Sequence, residues 1–207
     1  MRIITISREF GSGGRELGKR LADALGIPCY DQQIIELVAE KEKLDKNYVA
    51  SRSEKEISAF YPTTIARGFY SPGYMMMQTV QIMSSEHDII RQLAKEGDCV
   101  IVGRAADVIL EEYNPFRIFV CADDASKIAR CKARAEADEK LEDKEILRKC
   151  HTIDKRRASY RRMLTDKKWG SAAASDLCIN TSNREIKSLL PAILNYIEAW
   201  YAEAEEK

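Results

Sequence analysis

Apolar positions recur along this chain with two different spacings, and the switches between them outline an α/β protein. Arg2 to Ile6 is a short β-branched run and predicts a strand. Glycines stand at 11, 13 and 14, after which Leu17, Leu21, Ala24 and Leu25 predict a helix over Arg15 to Leu25. Gly26 and Pro28 stop that helix, glycine at the end and proline just beyond. Ile27 to Tyr30 predicts a second strand closed by Asp31. These pieces make one βαβ unit of about thirty residues, the length a parallel crossover needs.

From residue 32 to about 97 the spacing is helical but interrupted. Ile34, Ile35, Leu37 and Val38 form an apolar face, and Tyr61-Pro62 and Ser71-Pro72-Gly73 break the middle. Helical spacing returns from Met75 to Met83 and from Ile89 to Leu93. So long a connection predicts a helical insert in a crossover rather than a loop. Its methionines (Met75, Met76, Met77, Met83) suit an adaptable pocket, although filling an irregular core is the commoner use. Cys99 to Val102, Phe116 to Cys121 and Leu177 to Asn180 predict three further strands. Asp123 and Asp124 are candidate caps for the helix through Ile128 and Cys131. Glu185 to Ala204 predicts a closing amphipathic helix, with Pro191 implying a kink or a late start. Strands alternating with helices predict a five-stranded, mainly parallel sheet covered on both faces.

Composition narrows the class. A length of 207 residues suits one domain, 1–207, and 45% hydrophobic with 32% charged residues is ordinary for a soluble globular chain. The 33 basic and 33 acidic residues balance, so no whole-protein attraction to nucleic acid or to an acidic membrane is expected. No apolar run reaches the ~20 residues that cross a bilayer. The opening residues turn charged too soon for a signal peptide, and a cytoplasmic protein is the expectation. Six scattered cysteines and two histidines predict reduced core thiols rather than a zinc site.

The candidate chemistry begins at Ser7-Arg8-Glu9-Phe10-Gly11-Ser12-Gly13-Gly14-Arg15, between the first strand and the first helix. Glycines there let backbone N–H groups turn inward as a donor cluster, and the helix N-terminus adds partial positive charge. Gly11, Ser12, Gly13, Gly14 and Arg15 are the candidate phosphate-binding residues, with a hydroxyl from Ser12 and a charged fork from Arg15. Against Gly-x-x-x-x-Gly-Lys-Ser/Thr, Arg8 stands at the first glycine, Gly13 keeps the second, Gly14 takes the lysine place and Arg15 the Ser/Thr place. The plainer alternative is a glycine-rich turn without a ligand.

In order along nearly the whole chain, the sequence resembles the cytidylate kinase-like family of P-loop nucleoside monophosphate kinases. The loop from Phe10 to Glu16 looks like that group's variant phosphate loop, and Tyr30-Asp31 is similar to the strand end facing the monophosphate. Val100 to Arg104 looks like its Gly-Arg strand end, and Phe116 to Val120 and Cys178 to Ser182 resemble the strands that follow. Trp169-Gly170 resembles a landmark expected to pack. Two positions depart: the loop lysine is missing, and Ala105 follows Gly103-Arg104 where an aspartate is usual. The resemblance implies a three-layer P-loop NTPase fold: core 1–31, 97–135 and 164–207, monophosphate-binding insert 32–96 and arginine-rich lid 136–163.

For the lid, the apolar stripe Ile146, Leu147, Cys150, Ile153, Tyr160, Leu164 puts Arg157 on its inward face and Arg161 one turn beyond. An inward cation needs an anion, and a nucleotide phosphate suits a guanidinium fork. The alternative is that Arg156, Arg157, Arg161 and Arg162 form a solvated basic face paired with Asp154 and Asp166. RNA binding fits less well, because stacking aromatics are sparse there. Arg104 follows a glycine at the carboxyl edge of a central strand, where open α/β sheets place ligands, with an ordinary strand-end salt bridge as the plainer alternative, and Asp31 holds the matching edge next door. His87 and Arg91 precede this strand on the inserted helices and could touch an acceptor from there, although a plain helix-surface histidine is the commoner use of His87.

The expectation is therefore ATP-dependent phosphoryl transfer to a pyrimidine nucleoside monophosphate, CMP or dCMP most simply, with ATP and Mg²⁺ required. Arg104, Arg157 and Arg161 are the candidate catalytic residues, Asp31 and Arg104 the acceptor-binding ones, and no protein metal site is expected. A degenerate, regulatory nucleotide binder and a kinase of another small metabolite are the alternatives.

Overall fold

The computed structural model describes residues 1–53, 72–135 and 142–205. The turn-rich stretch at Tyr61-Pro62 and the first six residues of the expected lid lie outside them. The sheet contains β1 (Ile3–Arg8), β2 (Cys29–Tyr30), β3 (Cys99–Val102), β4 (Phe116–Cys121) and β5 (Leu177–Asn180). Their order is β2-β3-β1-β4-β5, and every neighbouring pair is parallel. All five carboxyl ends thus meet at one edge. β1 runs two residues beyond the apolar run, because Ser7 and Arg8 still pair with Phe119 and Val120 of β4.

Side chains leave β1 and β3 on alternate faces, so these strands feed two cores. On one face Ile4, Ile6, Val100 and Val102 pack with α1 (Gly14–Leu25) and α8 (Ile186–Glu205) through Leu17, Leu21, Ile193 and Ile197. On the other, Ile3 and Ile101 pack with α2 (Gln32–Glu42) and α4 (Pro72–Lys95) through Ile34, Val38, Ile82 and Ile90. Helix, sheet, helix is the three-layer α/β arrangement. α3 (Lys46–Ser53) adjoins α2 and α4, and a single turn, α5 (Ala106–Ile109), follows β3.

Beyond the sheet edge, α6 (Asp124–Ala133) packs against the 22-residue α7 (Asp143–Leu164). Asp123 caps α6 by accepting the Ser126 N–H at 2.7 Å. α8 starts at Ile186, so Pro191 sits inside the helix rather than at a delayed start. Trp169 stacks edge-on against Phe119, ring centroids 5.2 Å apart, which is the packing expected of it. Of the methionines, Met77 is exposed and Met83 half-buried, while the side chains of Met75 and Met76 lie outside the description.

Candidate active site

Because the strands are parallel, the turns after β1, β2 and β3 gather at one edge. The turn after β1 bends at Gly11 (φ 76°) and Gly13 (φ 88°), left-handed values that favour glycine. Gly13 caps α1, so the amides after it face outward at a helix N-terminus. Several braces hold this loop. The Glu9 N–H reaches Val120 O at 2.9 Å, Thr181 Oγ1 donates to Ser12 O at 2.7 Å, and the Phe10 N–H donates to Asp154 Oδ1 at 2.7 Å.

Ser12 is fully buried, and its hydroxyl donates to Glu9 O at 2.8 Å. It shapes the loop from within, so the hydroxyl expected to face an anion is turned the other way. Arg15 is 59% exposed, with its Nε 2.5 Å from Asp31 Oδ2. Asp31 also stands 3.7 Å from the Arg8 guanidinium, so it links two loop arginines.

After β3 the backbone makes three successive left-handed residues: Gly103 (φ 86°), Arg104 (φ 58°) and Ala105 (φ 49°). A non-glycine residue there costs roughly 1–2 kcal/mol, so tertiary contacts must hold the turn. Arg104 supplies one, with Nη1 3.0 Å from Oε1 of the fully buried Glu86 on α4. Tyr160 of α7 donates its hydroxyl to Glu86 Oε2 at 2.9 Å, and burial pushes the phenol well above its usual range. His87 Nε2 lies 3.4 Å from the same hydroxyl, and burial lowers its pKa. Arg91 pairs instead with Glu112, at 4.0 Å.

α7 lays both of its inward arginines along this site. Arg157 Nη1 donates to Arg8 O at 3.0 Å and lies 3.5 Å from Asp154 Oδ1. Arg161, only 4% exposed, bonds Asp107 Oδ2 at 2.5 Å. Arg156 and Arg162 are exposed, as a solvated face requires. Burial raises the Asp154 carboxyl to about 6 against the opposing pull of the Phe10 amide, Arg157 and Lys127.

Two cavities flank the loop. The larger, about 390 Å³, lies between the loop and the α6–α7 pair, within the range of small-molecule sites. Its walls carry Arg8, Arg15, Arg134, Lys149 and Arg157 against only Glu9 and Glu145, a surplus of positive charge that suits an anion. The smaller, about 30 Å³, is enclosed by Ser7, Arg8, Gly103, Arg104, Arg157, Tyr160, Arg161 and Trp169. It has room for a water or two, not a nucleotide. Arg8 and Arg157 line both.

The structure therefore brings Arg104, Arg157 and Arg161 to one cavity, and Gly11, Gly13, Gly14 and Arg15 to the other. Sequence reasoning missed Glu86, Asp107, Lys149 and the reach of Arg8. Glu86 had a legible signal, since it falls one helical step from Ile82 on an apolar face, the criterion that picked out Arg157.

Known proteins show similar chains. An uncharacterized protein from Eubacterium ventriosum ATCC 27560 is 26% identical, with 96% of this chain and 99% of that one covered and a TM-score of 0.69. Shikimate kinase from Bacteroides thetaiotaomicron is 14% identical over 95% and 98% of the two chains, TM-score 0.57. Shikimate kinase from Acinetobacter baumannii, solved with shikimate, is 14% identical over 96% and 94%, TM-score 0.53. At these identities the two shikimate kinases show a shared fold. No curated protein sequence matches. The model of the cytidylate kinase-like family matches residues 3–183, a span that takes in all five strands and the loop after β1, and the chain belongs to that family.

Proposed function

We propose that the protein transfers the γ-phosphoryl group of ATP to a pyrimidine nucleoside monophosphate, CMP or dCMP in the simplest case. The observation that carries this is the pair of cavities on either side of one phosphate loop, with Arg8 and Arg157 in the wall of both. The larger takes the donor triphosphate against the amides of Gly13, Gly14 and Arg15. The smaller takes the acceptor phosphate beside Arg104 and Arg161.

An acceptor phosphate oxygen attacks the γ-phosphorus, the bond to the β–γ bridging oxygen breaks, and ADP leaves with that electron pair. Little covalent chemistry falls to the protein, so positioning and charge stabilisation supply the rate. Arg157, between the cavities, faces the developing charge. Arg104 and Arg161 are anchored by Glu86 and Asp107, which fixes their forks before substrate arrives. Residues 32–96 act as the acceptor-binding insert and 136–163 as the lid. The acceptor cavity is closed down here, so α7 must lift for entry and return to exclude water.

Mg²⁺ suits this site as an ion carried on the nucleotide. Glu9 is held by Lys127, Asp31 by Arg15 and Asp154 by the Phe10 amide, and no group of three metal-ligating side chains stands among the described residues. Carried in on the nucleotide, the ion would shield the charge of the triphosphate. Gly14 in the lysine place favours a second reading, a nucleotide binder without turnover.

Coupled assay of ADP release across the nucleoside monophosphates tests the proposal. Turnover with CMP or dCMP that Arg104→Ala abolishes supports it. Tight ATP binding without turnover supports the second reading, and turnover with a non-nucleotide acceptor alone overturns the substrate assignment.

A further inference from the structure

Two departures from the standard phosphate-loop pattern turn out to be one exchange in space. The pattern has glycine at its first position and lysine after its second glycine, the lysine reaching the β- and γ-phosphates. This loop has Arg8 at the first and Gly14 in the lysine place. A Cβ built on Gly14 falls 2.5 Å from Arg8 Cβ and 2.9 Å from its Cγ, so any side chain at 14 collides with the Arg8 stem. Farther along the same side chain, a Cβ on Gly103 falls inside the Arg8 guanidinium, with Cζ at 2.7 Å. Gly14 clears the stem and Gly103 clears the head.

The path so cleared leads to the junction of the two cavities. Arg8 is 9% exposed and lines both, whereas Arg15, the other basic residue of the loop, is largely exposed and turned onto Asp31. The ion pair of Arg8 with Asp31 is long, 3.7 Å, and shares its carboxylate with Arg15 at 2.5 Å. With its triphosphate in the larger cavity, as the donor-site assignment has it, the terminal group would face this junction, and a guanidinium binds phosphate bidentately where an ammonium is a point charge.

We propose that the cation of the loop has moved from its end to its beginning: Arg8 serves the bound triphosphate as lysine at position 14 does in standard loops. This rests on the donor-site assignment above, and it makes Arg8 a catalytic residue that contacts the transferring phosphoryl group. It also makes Gly14 and Gly103 positioning residues that hold its path open.

Calorimetric titration with Mg²⁺ and a non-hydrolysable ATP analogue, repeated with inorganic tripolyphosphate, tests this on wild type, Arg8→Gly, Gly14→Lys, Gly103→Ala and the Arg8→Gly/Gly14→Lys double variant. Each single variant weakens both ligands by about ten- to a hundredfold, the value of a charge-assisted phosphate contact. The double variant restores the standard order without the clash and recovers most of the wild-type affinity. A purely structural arginine lowers the melting temperature of Arg8→Gly and leaves the affinity of the folded protein unchanged, with no rescue by the second substitution; that result overturns the proposal and spares the donor site. Wild type that binds neither ligand overturns both together.

Discussion

The Phe10 amide donates to Asp154 Oδ1 at 2.7 Å across 144 residues of sequence, so one carboxylate ties α7 to the phosphate loop. Arg157, one turn further along α7, repeats the tie by donating to Arg8 O at 3.0 Å. The helix proposed as the lid is thus fastened to the loop proposed to hold the donor phosphates.

Asp154 gives this fastening a pH signature. Folding raises its pKa from an ordinary 3.8 to about 6, chiefly by burial. Between those values the native state keeps a proton that the unfolded chain has lost, so the stabilising contribution is full below pH 4 and gone above pH 6. Asp154→Asn keeps an acceptor for the Phe10 amide and removes the charge. Its melting temperature should match wild type near pH 4 and exceed it from pH 6 upward. A variant less stable than wild type at pH 7.5 would show that Arg157 and Lys127 outweigh the burial cost.

Arg161 and Asp107 form a pair buried on both sides. Asp107→Ala strands a guanidinium out of water and should cost about 3–5 kcal/mol in urea denaturation. The Asp107→Leu/Arg161→Met double variant should recover much of that stability while losing acceptor turnover. Equal stability for Asp107→Ala and wild type would refute the burial of the charge.

Much of this was legible in the residues, and the part that was not has a physical cause. The alternation in β1 and β3 and the helical spacing of Leu17 and Leu21 already fix the two faces of the sheet. The inward step at Arg157 marks the basic side of α7. What periodicity cannot show is where a long side chain ends. Arg8 stands in the sequence where the first glycine would be and Arg15 as the phosphate fork, and nothing in their spacing shows that Arg8 runs back along Gly103 while Arg15 turns onto Asp31. Ser12 misled for the same reason, since a hydroxyl in a tight turn can satisfy a carbonyl behind it as readily as a ligand ahead.

Lys149 is exposed on α7 yet lines the larger cavity, proposed above for the donor, its ammonium 6.0 Å from the Phe10 ring centroid. Lys149→Glu should raise the KM for ATP about five- to twentyfold, with the effect shrinking as salt rises and the melting temperature little changed. An unchanged KM at low salt would remove Lys149 from the donor site.

Thr181, fully buried after β5, has one hydroxyl hydrogen, shared between Ser12 O at 2.7 Å and Cys121 O at 3.1 Å. Thr181→Val keeps the shape and deletes both bonds, and should lower stability by about 1–3 kcal/mol. Donor affinity should fall with it, because the loop loses a brace. Thermal melts with and without the ATP analogue read both effects.

That brace spans 169 residues, and it is not alone. β1 pairs only with β3 and β4, both translated much later, and Tyr201 of α8 donates its hydroxyl to Ile3 O at 2.9 Å. β1 therefore leaves the ribosome well before any of its native neighbours. A nascent chain halted before α8 exposes the apolar side of Ile4, Ile6 and Phe116, and the loop after β1 lacks its last brace until synthesis has passed residue 181.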